Sequence, residues 1–325
     1  MMDKEKVKFI AKLKKARPDV VTELPQKGIA DEIILRRMKK EGEESAKMVR
    51  QGKMSGAVYI SEQKHWDVIA ESMRLNCFAN PIHLDDFRFA CQCESEVIRM
   101  GISLYKGDKE CAGLITSGGT ESIFTATLSY RDYGQKTKGI TRGNVVACET
   151  AHCAIDKSCH YLGLELRKVK RDANGNFDLR ACEAAIDSNT LFIYASSPEY
   201  AFGNYDDVVS LGQIALKYDI GLHNDCCLGS FVNPFIESSG YQPATKFDFT
   251  VPGVTTISCD THKYGFSPKG TSIIMFKTRA RRDTCIYTRF EWTGGIYVTA
   301  SLAGSRNGSV VIGTWAAMMR MGKEG

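Results

Sequence analysis

A chain of 325 residues, 43% hydrophobic and 25% charged, has the composition of a globular protein large enough to bury a substantial core, which argues against disorder. Its net charge of +5 arises from 43 basic and 38 acidic side chains spread along the chain, without the dense Lys/Arg stripe that nucleic acid requires, so no nucleic-acid partner is expected. Its 12 cysteines are scattered, no pair of C-x-x-C knuckles encloses a zinc, no cleavable signal peptide opens the chain and no apolar run reaches the roughly 18 residues of a membrane span. A reduced, intracellular setting follows.

The first 51 positions read as helical and strongly charged. Val7, Ile10 and Leu13 recur at helical spacing among lysines until Pro18 interrupts them, and a second helix is expected over 30–49. Such a basic amphipathic start is a solvated packing helix or a surface that touches a membrane peripherally. From Gly56 onward, short β-rich runs at 144–150, 191–197, 221–225, 255–260 and 272–276 alternate with helical patterns such as 178–187 and 208–218. Apolar strands separated by helices predict an α/β domain over 56–325, built on a mostly parallel sheet covered on both faces, after a helical segment over 1–55. Ligands of such sheets collect beyond the carboxyl ends of the strands.

Three strings carry candidate chemistry. Thr116-Ser117-Gly118-Gly119-Thr120-Glu121-Ser122 precedes a helical pattern, and its glycines would let backbone N–H groups at a helix start approach a phosphate; a plain helix-capping turn has the same look. Leu222-His223-Asn224-Asp225 is a strand ending on a carboxylate, suited to a metal, to general base work, to a pyridinium nitrogen or simply to a turn. Asp260-Thr261-His262-Lys263-Tyr264-Gly265 places a lysine just past a buried strand, where desolvation is expected to lower its pKa and make the amine nucleophilic toward an aldehyde. Taken in chain order, a phosphate cradle, a ring-stacking His152, a ring-nitrogen partner Asp225 and a Schiff-base Lys263 supply each contact that pyridoxal 5'-phosphate requires.

These strings resemble the sphingosine-1-phosphate lyases, relatives of the group II decarboxylases. The similarity runs through Ser55-Gly56-Ala57-Val58-Tyr59, Asn80-Pro81-Ile82-His83, Thr116 to Ser122, Ala151-His152-Cys153-Ala154-Ile155-Asp156-Lys157, the stretch 251–270, Trp292-Thr293-Gly294-Gly295-Ile296-Tyr297 and Leu302-Ala303-Gly304-Ser305-Arg306, and so covers nearly the whole chain. The most specific part is D-T-H-K-Y-G-x-x-P-K-G with A-G-S-R downstream. The resemblance implies the aspartate-aminotransferase-like large domain of fold type I pyridoxal-phosphate enzymes, and a homodimer. It implies that Gly118, Gly119 and Thr120 bind the cofactor phosphate, that His152 stacks on the ring, that Asp225 pairs with its nitrogen, that His262 lies near the phosphate and that Lys263 is the catalytic lysine. Gly304, Ser305 and Arg306 would close the phosphate site, and Tyr59, Asn80, His83 and Lys269 would meet the substrate's head group. The implied reaction is retro-aldol cleavage of a phosphorylated sphingoid base to a long-chain aldehyde and phosphoethanolamine, in the cytoplasm or at the endoplasmic reticulum.

The chain departs from the pattern in several places. Ser197-Pro198-Glu199-Tyr200-Ala201-Phe202-Gly203 lacks the histidine of a Pro-His-Gly string, Asn224 replaces an apolar residue and Asn307 a proline. Relatives carry an N-terminal anchor and continue into a smaller C-terminal domain; without that domain the chain is expected to be weakly active or inactive. An amino-acid decarboxylase of the same fold and an inactive binding protein are the nearest alternatives. A metal hydrolase is a more distant one, drawn from Cys148, His152, Asp156 and His160, which recur at four-residue spacing.

Overall fold

A computed structural model of the chain describes residues 21–54 and 58–325, together with positions 4, 5, 7, 8 and 11, which are helical. The pattern at Ile10 and Leu13, the break at Pro18 and residues 55–57 of the Ser55 string lie outside the described residues. The chain divides into two compact units, Met1–Val58 and Tyr59–Gly325. In the first, α1 (Asp31–Arg50) has Asp31 and Glu32 in its first turn and Lys47 and Arg50 in its last, each charge opposing the helix dipole at its end. Its apolar residues Ile33, Ile34, Leu35 and Met38 are exposed. Among the described residues no helix is long and apolar enough to cross a membrane.

The second unit runs α2 (Gln63–Leu75), α3 (Arg88–Leu104), β1 (Ala112–Thr116), α4 (Gly119–Lys138), β2 (Asn144–Cys148), α5 (Ala154–Leu162), β3 (Glu165–Val169), α6 (Leu179–Ala184), β4 (Thr190–Ser196), α7 (Val208–Lys217), β5 (Gly221–Asp225), β6 (Val254–Cys259), β7 (Ser272–Phe276), α8 (Arg279–Asp283), the short pair β8 (Tyr287–Arg289) and β9 (Tyr297–Thr299), and α9 (Gly308–Met321). Seven strands form one sheet in the order β1-β7-β6-β5-β4-β2-β3. Strands β2 to β6 are parallel, and β7 runs antiparallel to both β6 and β1. Every residue of β1, β2, β4, β5 and β7 is buried, as a sheet covered on both faces demands.

Because strand side chains alternate, each strand feeds both layers of core. Val146, Ile193, Leu222, Ile257 and Ile273 pack on one face with Val97 and Leu211, while Val145, Phe192, Tyr194 and Ile274 pack on the other with Ile123 and Tyr130. A glycine decides how closely the second layer approaches. A Cβ at Gly221 would lie 2.1 Å from the Tyr130 ring, so only a bare backbone lets that ring lie over the start of β5 and stack on Phe192 at 4.1 Å. The pair adds about 1 kcal/mol beyond the area it buries.

The strands expected at 221–225 and 272–276 form at those bounds, and those at 144–150, 191–197 and 255–260 form with ends moved by one or two residues. Strands β1 and β3 were not anticipated. β3 is an edge strand that exposes Glu165 and Lys168, and β1 carries Gly113, so neither shows the continuous β-branched run of the buried strands. Beyond β4, the chain turns back on a buried carboxylate: Glu199 accepts from the N–H groups of Ala201 (2.6 Å), Phe202 (2.9 Å) and Asn204 (3.2 Å).

Asp206 closes this loop by accepting from the Ser196 N–H at 2.8 Å. Burial, with a smaller contribution from Glu199, outweighs that bond and raises the Asp206 carboxyl to about 7. Between roughly pH 4, where an unfolded aspartate titrates, and pH 7, the folded chain therefore keeps a proton that the unfolded chain has released. This stabilisation is complete below that window and lost as pH rises through it. Asp206→Asn should flatten the dependence and raise the unfolding free energy above pH 7 by up to about 4 kcal/mol, with little change at pH 4, as read from urea denaturation at both values.

Candidate active site

The carboxyl ends of β1, β2, β4, β5 and β6 point the same way, and the loops that follow them meet over one edge of the sheet. A cavity there is lined by Gly119, His152, Tyr200, Asp225, Cys227 and Lys263. Four residues expected from widely separated strings are thus neighbours in space. A larger cavity of about 1180 Å³ lies between α3, the loop around Phe231 and Phe235, and the end of α9, and among these residues holds none.

The glycine turn follows β1 directly. The first helical bond of α4 runs from the Ser122 N–H to the Gly118 carbonyl at 3.0 Å, which leaves the preceding N–H groups without partners inside the helix. Ser117 donates instead to the Glu121 carboxylate at 2.7 Å. A Cβ at Gly119 would stand 2.9 Å from both oxygens of Asp260 and 3.0 Å from the Cys227 sulfur, so the helix start can approach these buried groups only with glycine there. His152 sits exposed between β2 and α5, its Nδ1 accepting from the Ala154 N–H at 3.1 Å, and Tyr200 meets its ring edge-on at 6.4 Å.

Asp225, the last residue of β5, is 7% exposed and held at both oxygens. Oδ1 accepts from the Cys227 N–H (2.9 Å) and the Ser258 hydroxyl (3.0 Å), and Oδ2 from the Tyr194 hydroxyl (2.5 Å). Since Ser258 gives its proton to Asp225, its oxygen receives that of His223 Nε2 at 3.2 Å. Nδ1 then accepts from Thr256 at 2.8 Å, and Thr256 from the Tyr130 hydroxyl at 2.7 Å. Every hydrogen in this buried chain is aimed at the carboxylate. Burial alone would raise the Asp225 carboxyl, but His223, the Tyr194 hydroxyl and the Cys227 N–H more than offset it and hold the group below its ordinary value. Burial also takes His223 down to about 4, so its charge acts on Asp225 in the acid range where the carboxyl titrates, while at neutral pH the imidazole is uncharged and the anion is held by its hydrogen-bond donors.

Lys263 departs from its expected state. Burial pulls its pKa down, yet Cys227, Asp260 and Asp225 together raise it above the ordinary lysine value. Burial holds the Cys227 thiol protonated at neutral pH, so the upward pull comes from the carboxylates, first Asp260, 3.0 Å from the Lys263 Nζ, and then Asp225. The amine is a desolvated ammonium in an ion pair rather than a neutral nucleophile. Asp260 is itself 2% exposed; its Oδ2 also lies 3.7 Å from His262 Nε2, and its Oδ1 has no hydrogen-bond partner among the described residues. His262 is anchored by its Nδ1 to the Thr271 carbonyl at 2.6 Å.

Two of the four residues expected at the substrate's head group lie beside Lys263. The Lys269 ammonium stands 5.2 Å over the Tyr59 ring and donates to the His262 carbonyl at 3.3 Å, and burial followed by the nearby Lys263 charge lowers its pKa against the pull of Asp260. Tyr59 also packs edge-on against Tyr264 at 4.9 Å. Asn80 is used otherwise: its Nδ2 donates to Ser305 Oγ at 3.0 Å and its Oδ1 accepts from the Arg306 N–H at 3.1 Å, so it clamps the turn that contains Gly304. Arg306 forms a two-pronged pair with Glu94 at 2.5 and 2.9 Å and feels the Glu121 carboxylate at the start of α4. His83 is exposed.

Sequence reasoning missed Asp260, Tyr194, Tyr200 and Cys227. Only Asp260 carried a signal, its place three residues before Lys263. The metal-ligand face does not form: Cys148 ends β2 and His152 precedes α5, so neither shares a helix with Asp156 and His160. Among the described residues no group of three His, Cys, Asp or Glu is placed to hold a metal ion.

Residues 97–321 match the family model described as the pyridoxal-dependent decarboxylase conserved domain. Sphingosine-1-phosphate lyase 1 of Rattus norvegicus is 39% identical over 307 residues, covering 94% of this chain and 54% of that protein. The sphingosine-1-phosphate lyase of Saccharomyces cerevisiae is 42% identical over 278 residues, 85% of this chain and 47% of that one. The chain thus spans about half the length of the curated relatives it matches. Among solved structures, the sphingosine-1-phosphate lyase of Burkholderia pseudomallei superposes with a TM-score of 0.92 at 32% identity, covering 95% of this chain and 73% of that one. The glutamate decarboxylase of Lactobacillus brevis superposes with a TM-score of 0.74 at 19% identity over 96% of this chain and 72% of that one, a likeness of fold alone. The fold type I architecture expected from the sequence is the one these structures share.

The ion pair at Lys263 has a measurable consequence. Asp260→Asn removes the nearest charge that holds the ammonium, so that burial is opposed by Asp225 alone and the pKa falls. The rate of Lys263 acetylation by acetic anhydride, followed by mass spectrometry across pH, should rise at lower pH in the variant than in the parent chain.

Proposed function

Because the chain belongs to the pyridoxal-dependent decarboxylase family and, within it, to the sphingosine-1-phosphate lyases, we propose that it cleaves a phosphorylated sphingoid base between C2 and C3, giving a long-chain aldehyde and phosphoethanolamine, with pyridoxal phosphate bound in the Lys263 cavity. The observation that carries this reading is the convergence of Gly119, His152, Asp225 and Lys263 on one cavity. Their chemistry fits the cofactor: a partly buried amine, a carboxylate kept ionised, an exposed imidazole face and a glycine turn opening a 20-residue helix.

In the proposed site Gly118, Gly119 and Thr120 offer N–H groups and a hydroxyl to the cofactor phosphate, with His262 close by. His152 gives the ring a face to stack on, and Asp225 holds a proton at its nitrogen. Bound pyridoxal phosphate supplies the electron sink for the bond that breaks. Lys263 must lose its extra proton before its amine can react with an aldehyde, and Asp260, at 3.0 Å with one oxygen unpartnered, is placed to receive it. Lys269 and Tyr59, on the same side of Lys263, offer a cation and a phenol to the substrate's phosphate.

We extend the proposal to a homodimer. Asn80, Ser305 and Arg306 bind one another and Glu94 rather than Lys263, and His83 is exposed, an arrangement suited to a turn that completes the site of a second copy. The exposed apolar residues of α1 support peripheral contact with a membrane, where a lipid substrate would be met.

The test is incubation of the chain with pyridoxal phosphate and sphinganine 1-phosphate, with the aldehyde and phosphoethanolamine read by mass spectrometry. Both products should appear, Lys263→Ala should reduce them to background, and borohydride should fix the cofactor covalently to Lys263 of the parent chain, read as a mass increase of its peptide, but not to the variant. Carbon dioxide release from an amino acid, without aldehyde, would identify a decarboxylase instead.

A further inference from the structure

The carboxylate at the end of β5 has one donor that no pattern in the sequence announces. Strands β4 and β5 are parallel neighbours in which Tyr194 is the register partner of His223 and Ser196 that of Asp225. Two residues of strand rise about 6.7 Å, close to the reach of a tyrosine hydroxyl from its own backbone. From position 194 a tyrosine therefore lies along the sheet, its ring against His223 at 5.2 Å, and delivers its hydroxyl to the carboxylate two register pairs further on. A serine or threonine there would fall short, and a phenylalanine would arrive without a proton.

We infer that Tyr194 is a positioning residue, whose buried hydroxyl holds the Asp225 carboxylate ionised and in a single orientation. The two carboxylate oxygens are not equivalent. Oδ1 takes the Cys227 N–H and the Ser258 hydroxyl, so it stays satisfied whatever happens at position 194. Oδ2 takes Tyr194, which is 0% exposed and has no alternative water to bond. Removing that hydroxyl leaves a buried anion with one oxygen short of a donor, and protonation of the carboxyl is the cheapest remedy.

The other groups around Asp225 do not replace it. On its own strand and just beyond stand His223, uncharged at neutral pH, and the thiols of Cys226 and Cys227, which burial keeps protonated. From β6 and its loop come the buried Cys259 thiol and the Lys263 ammonium, whose nearer partner is Asp260. From β4 comes Tyr194, whose own proton is held firmly by burial and by the charge of Asp225, with Asp206 adding to the effect. Tyr194 is thus a donor at every pH the fold survives.

For the cofactor, this inference rests on the reading in which Asp225 faces a ring nitrogen; for the carboxyl itself it does not. The experiment separates the two by titrating Asp225 directly, by ¹³C NMR of the chain labelled at aspartate carboxyls, the signal being assigned by its loss in Asp225→Asn. In Tyr194→Phe the Asp225 midpoint should rise by about one pH unit or more, the loss of one hydrogen bond to a charged group. With pyridoxal phosphate added, the same variant should bind it several-fold more weakly, and the pH dependence of its visible band should move. An unchanged Asp225 midpoint in the folded variant overturns the inference, whatever happens to the cofactor. A raised midpoint in a chain that binds no pyridoxal phosphate upholds it and removes the proposed function instead. Should Tyr194→Phe fail to fold, 3-fluorotyrosine placed at position 194 keeps the ring and hydroxyl but makes a stronger donor. The Asp225 midpoint should then fall, and a midpoint that stays put or rises counts against the role.

Discussion

A carboxylate buried at the end of a parallel strand has to be kept ionised, and much of the site's architecture answers that requirement. Asp225 gives up water on entering the fold, and four polar groups from three strands restore what it loses: the Cys227 N–H, the Ser258 and Tyr194 hydroxyls and, behind Ser258, the His223 imidazole. The supporting layer reaches further still, through Thr256 to Tyr130, whose ring depends on the missing side chain of Gly221. A hydrogen-bonded chain of this kind is costly if one member is absent, because each group left unpaired is buried as well. It also ties the electrostatics of the cavity to packing at the opposite end of β5.

A second buried carboxylate has the opposite task. Asp260 is paired with the Lys263 ammonium at 3.0 Å and lies 3.7 Å from the His262 imidazole, and one of its oxygens has no donor among the described residues. It lies against the start of α4, where only a glycine leaves it room. Asp225 is therefore over-supplied with donors and Asp260 under-supplied. The first is held on both oxygens by neutral donors, while the second keeps one oxygen free of a donor beside the Lys263 amine.

Much of this was legible in the sequence, and what was not shares a physical cause. The residues that end strands could be read, because a strand end is a local event: an apolar run stops and Asp225 or Lys263 follows. The turn at Gly118 and Gly119 was equally local. Tyr194 was invisible because it sits inside an apolar run and looks like core; its function lies in a hydroxyl directed at a residue 31 positions away. The state of Lys263 was misread for a related reason. Burial alone would have made it a neutral amine, but burial arrives with Asp260, and the pair behaves differently from either member. Asn80 shows the converse, since its string could be matched while its partners, Ser305 and the Arg306 backbone, lie more than 200 positions away.

The edge of the sheet imposes an order on how the cavity can come into being. β1 has one neighbour, β7, and Thr116 pairs with Ser272, 156 positions further along. At roughly 5–20 residues per second, a ribosome needs on the order of ten to thirty seconds to make that stretch. Until then β1 is a strand with no ladder, and the glycine turn that follows it has no fixed place over the sheet. His152, Asp225 and Lys263 leave the ribosome before β7, while the cradle that leaves first is the last to be seated. Growing chains stalled before residue 272 should thus carry most of the site's chemistry without a phosphate cradle to go with it, and the cradle is acquired only once β7 has been made.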